Sequence, residues 1–328
     1  MKPHVENPFS ILHPGAGTPK KTVRREPLPE RKAAAGTRKV GLKPGSGWHK
    51  RNFVTEVLIP SLFTRRSGRK TPPRFPKLKA GEVGVTWIGH ASFLVQTPQT
   101  NLLVDPNWAK WLKVIKRLRN PGLEIHDLPS IDLVLVTHAH FDHLDRRTLR
   151  RVAEDQPIVV PFEVGSLVRG LGFQSIHELD YWKTFEHGPA RITLTPCRHW
   201  GARMLHDSHR GFGGYIIELG GRTIFHCGDT AFFDGFKEIG KRFKIDVALL
   251  PIGAYDPPSG RKVHMNPEEA LQAFLDLGAR RMVPMHYGTF RLSYEPPEEP
   301  LQRLRAAAKK QGIEDRIAVM TEGQPVVF

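Results

Sequence analysis

Residues 131–145, IDLVLVTHAHFDHLD, constrain this chain more than any other segment. The stretch IDLVLV is an apolar run of strand length that stops at a polar cluster, which is the pattern of a buried strand. Directly behind it, three His and one Asp (His138, His140, Asp142 and His143) fall within six positions. Neutral imidazole and carboxylate are metal ligands and together suit zinc or a similar ion. His138 and His140 are two apart, so in an extended segment they project to the same side. Asp142 and His143 follow at the start of an expected helix and point elsewhere. Such an arrangement suits two adjacent metals rather than one.

The motif alone leaves two metals short of ligands, so further donors are expected at other strand ends. EVGVTWIGHASFLVQT reads as two strands around a glycine turn, and NLLVDP as a third. RITLTP, GYIIEL, RTIFHCGD and DVALLPIG are later strands, each ending in polar residues. Helical patterns fall at about 145–154, 163–170, 232–241, 267–277 and 298–311. This alternation predicts an α/β domain with covered sheet faces and a site at the carboxyl ends of its strands. His199 after RITLTP, Asp229 ending RTIFHCGD and His286 ending RRMVPMH are the candidates that complete the ligand set. Asp105, closing NLLVDP, is either a turn-forming Asp-Pro or a residue that orients a ligand histidine by a hydrogen bond.

The chain has 328 residues and a formal charge of +16, and that charge is localised. Residues 1–80 hold 19 Lys or Arg against 4 Asp or Glu, which leaves a body of about +1. The division predicted is a basic, Pro/Gly-rich, largely flexible arm over 1–81 and a catalytic domain over 82–328. Residues 52–63 are apolar enough to dock on something, with Pro60 interrupting them. The arm is either a solvated leader or a binder of polyanions, nucleic acid or an anionic lipid surface. Only Cys197 and Cys227 are present, and there is neither a signal-type apolar region nor a membrane-length apolar run. A cytoplasmic setting is therefore the default. In NWAKWLKVIKRLRN (107–120), Trp108, Trp111, Leu112, Ile115 and Leu118 recur at helical spacing among Lys and Arg. That pattern predicts either a basic amphipathic helix lying in an anionic interface or a surface helix packed on the core. Together with the arm it favours peripheral association with the inner face of a membrane.

HxHxDH, followed by a His, an Asp in a GD pair and a final His, resembles the metallo-β-lactamase superfamily. The resemblance covers roughly residues 82–328. It implies a four-layer αββα sandwich, with two mixed sheets flanked by helices. It further implies that His138, His140 and His199 bind one divalent ion and that Asp142, His143 and His286 bind a second. Asp229 would bridge the two, and zinc is the first candidate for both. WIGHASFLV, VDP, TPCRHW, GDTAFF, LPIGAYDPP, HMNPEEA and MHYGTF more narrowly resemble the N-acyl-phosphatidylethanolamine phospholipase D family. Through that resemblance His264 faces the substrate phosphate and joins Asp142 and Asp229 as a catalytic residue, while His90 supports the ligands beside Asp105. The implied reaction is phosphodiester hydrolysis of a phospholipid, giving phosphatidic acid and an N-acylethanolamine, through a hydroxide shared by the metals. The segment before residue 82 and the loop 201–212 do not share the likeness. The alternatives are a lactonase of a phosphorylated sugar acid, which LPIGAY and HMNPEEA argue against, and a nuclease using the basic arm. Nucleic acid is not the expected partner, because the core lacks the basic surplus of a strand-tracking channel. A homodimer is left open.

Overall fold

Side chains of a strand alternate between two faces, so a strand apolar at every position needs cover on both sides. The computed structural model describes residues 51–68, 75–204 and 207–328, and its strands meet that requirement with two sheets and outer helices. After a helical turn at Val54–Leu58 and α1 (Ile59–Phe63), the chain forms β1 (Gly84–Gly89), β2 (Ser92–Gln96) and β3 (Asn101–Val104), which are antiparallel neighbours. β4 (Trp111–Leu112) and β5 (Ile115–Lys116) form a separate small hairpin. β6 (Leu133–Leu135), α2 (Arg146–Val152), β7 (Ile158–Pro161), α3 (Gly165–Val168) and β8 (Ile176–Leu179) extend the first sheet by parallel pairings.

The second sheet begins with β9 (Thr184–His187), β10 (Ala190–Thr195), β11 (Gly214–Leu219) and β12 (Arg222–His226), all antiparallel. It continues through α4 (Gly235–Arg242), β13 (Val247–Pro251), α5 (Pro267–Asp276) and β14 (Arg281–Met285), with both added pairings parallel. α6 (Glu299–Gln311) then leads to β15 (Pro325–Val327), which returns to the first sheet beside β1. Both sheets are mixed.

The alternation of the first sheet sorts its side chains between two cores. Val85, Trp87, Phe93, Val95, Leu102, Val104, Leu133 and Leu135 pack with residues of the second sheet such as Ile192, Tyr215, Phe225 and Leu249. The intervening Ile88, Leu94, Leu103 and Val134 pack instead with Leu149 and Val152 of α2 and Val168 of α3. Fully burying each such side chain contributes about 1.5–3 kcal/mol, and truncating one of them, as in Phe93→Ala, costs about 3–5 kcal/mol. The result is the four-layer αββα sandwich. α5 starts at a capping box, with Asn266 and Glu269 exchanging side-chain-to-backbone hydrogen bonds of 2.9 and 3.1 Å. Pro267 occupies its first turn, where the missing N–H costs nothing. This fixes the chain immediately after His264.

One expectation is corrected here. Residues 107–120 are not a helix, because the chain turns back at Lys113 (φ +54) to make the β4–β5 hairpin. Trp108 is buried with Nε1 donating to the Leu123 carbonyl at 2.7 Å. The buried Arg117 guanidinium donates to the Asn107 and Ala109 carbonyls at 2.6 and 3.0 Å. These bonds pull the apolar positions to different sides, so Leu112 and Leu118 are buried while Trp111 and Val114 are exposed. Residues 52–63, read as apolar enough to dock on something, lie against the body. Pro60 sits in the first turn of α1, a position that tolerates it. Arg291 donates to the Glu56 carbonyl at 3.1 Å, and Lys116 Nζ donates to the Leu62 and Thr64 carbonyls at 2.8 and 2.9 Å. Residues 1–50 of the arm lie outside the described residues.

Candidate metal centre

Five strand ends and one long connection converge on one spot. Asp105 follows β3, His138 to His143 follow β6, His199 follows β10, Asp229 follows β12, His264 lies between β13 and α5, and His286 follows β14. Their local backbone is held against its own preference. Of the seven non-glycine residues with positive φ among the described residues, three are His90 (+57), Asp105 (+44) and His286 (+61). Such conformations cost free energy and persist where the surroundings fix them. The His90 N–H donates to Thr289 Oγ1 at 2.9 Å, and the His286 N–H donates to the His90 carbonyl at 3.0 Å. Gly228, just before Asp229, has φ +63, and a Cβ there would lie 2.7 Å from the Gly213 carbonyl oxygen. Only glycine lets the chain turn so tightly there.

The donor atoms form two adjoining sets. In the first, His138, His140, His199 and Asp229 each offer an atom within 4.8 Å of the others. His140 Nδ1 lies 3.0 Å from His138 Nε2 and 3.2 Å from His199 Nε2. The second set is His90, Asp142, His143 and His286. Asp142 Oδ2 is 3.0 Å from His90 Nε2, 3.3 Å from His286 Nε2 and 3.8 Å from His143 Nε2. Asp229 Oδ2 stands between the sets, 3.1 Å from both His143 Nε2 and His286 Nε2 and 3.8 Å from His138 Nε2. His264 Nδ1 is 3.9 Å from the same oxygen and makes a third group with Asp229 and His286.

Supporting bonds set which ring nitrogen faces inward. Asp105 is fully buried, and its Oδ2 lies 2.6 Å from both His143 Nδ1 and Thr137 Oγ1. With Nδ1 of His143 bound to Asp105, Nε2 is the ring nitrogen turned towards Asp229. His199 does the same through Nδ1, which lies 3.0 Å from the Val263 carbonyl. His90 contacts Asp142, so it stands among the possible donors as well as supporting one. Asp142 and His143 lie in the turn before α2 rather than on the helix, which starts after Asp145 caps the Thr148 N–H at 3.0 Å.

The electrostatics divide the histidines. Burial, reinforced by neighbouring rings, holds His138 and His199 well below the ordinary imidazole range. Burial also brings His140 to about 4, against the pull of Asp142 and Asp229. These three are neutral, with lone pairs available. Burial opposes charge on His143 and His286 too, but Asp229 leads a set of carboxylate contacts that outweigh it, and His286 rises to about 9.

A divalent ion fits this donor set. Asp229 Oδ1 and His264 Nδ1 are buried without hydrogen-bond partners among the described residues. A buried carboxylate oxygen left this way is costly unless a cation compensates it. All donors are nitrogen or oxygen, since burial pushes the Cys197 thiol up and keeps it protonated, and neither cysteine forms a disulfide.

Above the donors opens a cavity of about 600 Å³. His140, Asp142, Asp229 and His264 form its floor, while Phe53, Leu112, Ile115, Trp200 and Leu292 are among its apolar walls. Lys113, Arg203 and Lys262 supply cations at its edge. The walls come from distant segments with no shared local pattern, and sequence reasoning did not find them. It also missed Arg203, whose Nη1 donates to the Ala139 and Leu144 carbonyls at 2.7 Å each while its guanidinium lies 4.0 Å over Phe141. That one side chain braces both ends of the His138–His143 loop.

A model of the β-lactamase superfamily domain matches residues 100–287. An uncharacterised protein of Mycobacterium tuberculosis is 33% identical over 307 residues, covering 88% of this chain and 82% of that one. The mitochondrial N-acyl-phosphatidylethanolamine-hydrolyzing phospholipase D of Saccharomyces cerevisiae is 32% identical over 279 residues, covering 80% of this chain but 58% of the yeast protein. Among solved structures, a metallo hydrolase from Ignicoccus hospitalis superposes with a TM-score of 0.57 at 28% identity. That match covers 75% of this chain and 98% of the archaeal one.

Proposed function

The chain belongs to the metallo-β-lactamase superfamily of metal-dependent hydrolases, and from that premise we propose that it is a phospholipid phosphodiesterase. The reaction proposed is cleavage of N-acyl-phosphatidylethanolamine, or a related phospholipid, to phosphatidic acid and an N-acylethanolamine. The observation that carries this reading is the pairing of a polar, metal-competent floor with apolar walls and a basic edge in one cavity. A phosphodiester needs the first, acyl chains the second, and a phosphate-bearing substrate the third. The name of the yeast relative supports the same substrate class.

Two divalent ions, zinc first among them, would be held by His138, His140 and His199 on one side and Asp142, His143 and His286 on the other, with Asp229 between. Bound there, such ions supply a water of lowered pKa and electrostatic stabilisation of the phosphoryl oxygens. The chain's own groups do the rest. Asp229 and Asp142 accept hydrogen bonds from the attacking water and set its approach. His264, at the cavity floor, donates a hydrogen bond to a phosphoryl oxygen. The apolar walls exclude competing water and strengthen each of these interactions.

The test is incubation with N-acyl-phosphatidylethanolamine, phosphatidylethanolamine and phosphatidylcholine, with product identification by mass. Phosphatidic acid with N-acylethanolamine is expected in the first lane, abolished by chelation and restored by zinc. If no lane yields phosphatidic acid, the phospholipase reading fails and the superfamily assignment stands.

A further inference from the structure

A second groove, of about 790 Å³, adjoins the catalytic cavity and shares Leu112, Lys113, Phe141 and Arg203 with it. It runs between the β4–β5 hairpin and α2. Its lining carries six cations, Lys110, Lys113, Arg146, Arg147, Arg151 and Arg203, against one carboxylate, Asp145. That carboxylate is occupied, since Asp145 Oδ2 accepts from the Thr148 N–H at 3.0 Å and from its hydroxyl at 2.7 Å. Lys110, Arg146, Arg147 and Arg151 are exposed, and among the described residues none is ion-paired. Nothing in the proposed chemistry uses them.

We infer that this groove binds the phosphate headgroup of an anionic phospholipid as a non-catalytic docking site that sets the cavity mouth against a bilayer. The inference goes beyond the proposed reaction and does not require it. Two observations choose a lipid over a soluble anion. The cations surround an exposed apolar tip, with Trp111 46%, Val114 64% and Met204 57% exposed. Trp111 itself lines the groove, and Lys113 Nζ lies 3.9 Å from Met204 Sδ. An anion in free solution leaves Trp111 and Val114 in water, whereas a bilayer takes up the apolar tip and the headgroup charge together. No helix of the described residues is long and apolar enough to cross a membrane, so contact of this kind lies at the surface. The 107–120 segment thus bears on membranes as a hairpin whose charge is completed by α2, not as an amphipathic helix.

The experiment compares the full chain with R146Q/R147Q/R151Q in flotation with phosphatidylglycerol and phosphatidylcholine vesicles. Gln keeps the helix propensity of α2, and an unchanged melting midpoint verifies the fold. Because the basic N-terminal stretch also attracts anions, K237Q/K241Q/K244Q removes equal charge elsewhere. Each cation near an anionic surface contributes about fivefold in affinity, so the triple variant is expected to bind phosphatidylglycerol vesicles on the order of a hundredfold more weakly. The control variant is expected to lose far less, and phosphatidylcholine is expected to bind neither strongly. Equal loss in the two variants, or parental affinity in the first, overturns the site. Displacement from vesicles by inorganic phosphate or a single-stranded oligonucleotide at matched charge concentration overturns the lipid assignment. Binding is read without turnover, so it stands or falls apart from the proposed reaction.

Discussion

Asp105→Asn tests the reasoning at its narrowest point. The carboxylate has no solvent contact, and three hydrogen bonds converge on it: the Thr137 N–H at 2.7 Å on Oδ1, and Thr137 Oγ1 and His143 Nδ1 at 2.6 Å on Oδ2. Asparagine keeps one acceptor oxygen, and the Thr137 N–H claims it. The amide NH₂ then faces His143 Nδ1, donor against donor. Relief comes only if the ring moves its proton to Nε2, which points it at Asp229, or swings away. A hydrogen bond to a charged group contributes about 1.5–3 kcal/mol, and losing a partner that orients a metal ligand costs about 10–100-fold in affinity. Those figures agree, because each tenfold is about 1.4 kcal/mol. Competition against a chromophoric chelator should therefore show zinc binding weakened about 10–100-fold in Asp105→Asn. Urea unfolding of the metal-free chain should show a loss of about 1.5–3 kcal/mol. Parental zinc affinity at every site in the variant would refute the account of how His143 is oriented.

Other consequences follow from single contacts. Metal analysis of the zinc-loaded chain should give about two ions per chain, and Asp229→Asn, which removes the carboxylate shared by both donor sets, should reduce that count and abolish hydrolysis. Gly228→Ala forces a side chain into φ +63 and against the Gly213 carbonyl. An unfolding free energy about 2–3 kcal/mol lower is expected by urea titration, and an unchanged value would show that this turn relaxes freely. Arg203→Ala leaves the Ala139 and Leu144 carbonyls without their shared donor. It should cost about 1–3 kcal/mol and weaken zinc binding, with Arg203→Lys recovering only part, because an ammonium lacks the planar fork of the guanidinium.

The legible parts of this chain are those in which one short segment holds enough chemistry. IDLVLVTHAHFDHLD states both its strand and its ligands within fifteen residues, because a buried strand and a dense donor cluster each leave a local pattern. HMNPEEA states its helix start, since a capping box spans only four positions. The reading of 107–120 failed because helical spacing there is coincidental. What decides that segment is the buried Arg117, which binds carbonyls eight and ten residues back, and Trp108, which reaches the Leu123 carbonyl. Local periodicity cannot register bonds of that kind.

The same limit explains why His90 carries no signal of its own. Its Nε2 meets Asp142, 52 residues away, and its carbonyl receives the His286 N–H from the end of β14 in the opposite sheet. Its ring lies with centroids 4.0 Å from that of His286, and its backbone sits at φ +57. His90 and His286 are thus two strained residues from different sheets, each holding the other. The donors Asp142 and His143 come from the first sheet, and Asp229 and His286 come from the second. A cation held between them would therefore join the layers as well as equip the site. In this fold, strain at His90 and His286 is the cost of bringing two sheet edges close enough to share ligands. Residues that show no ligand pattern in the sequence set that approach.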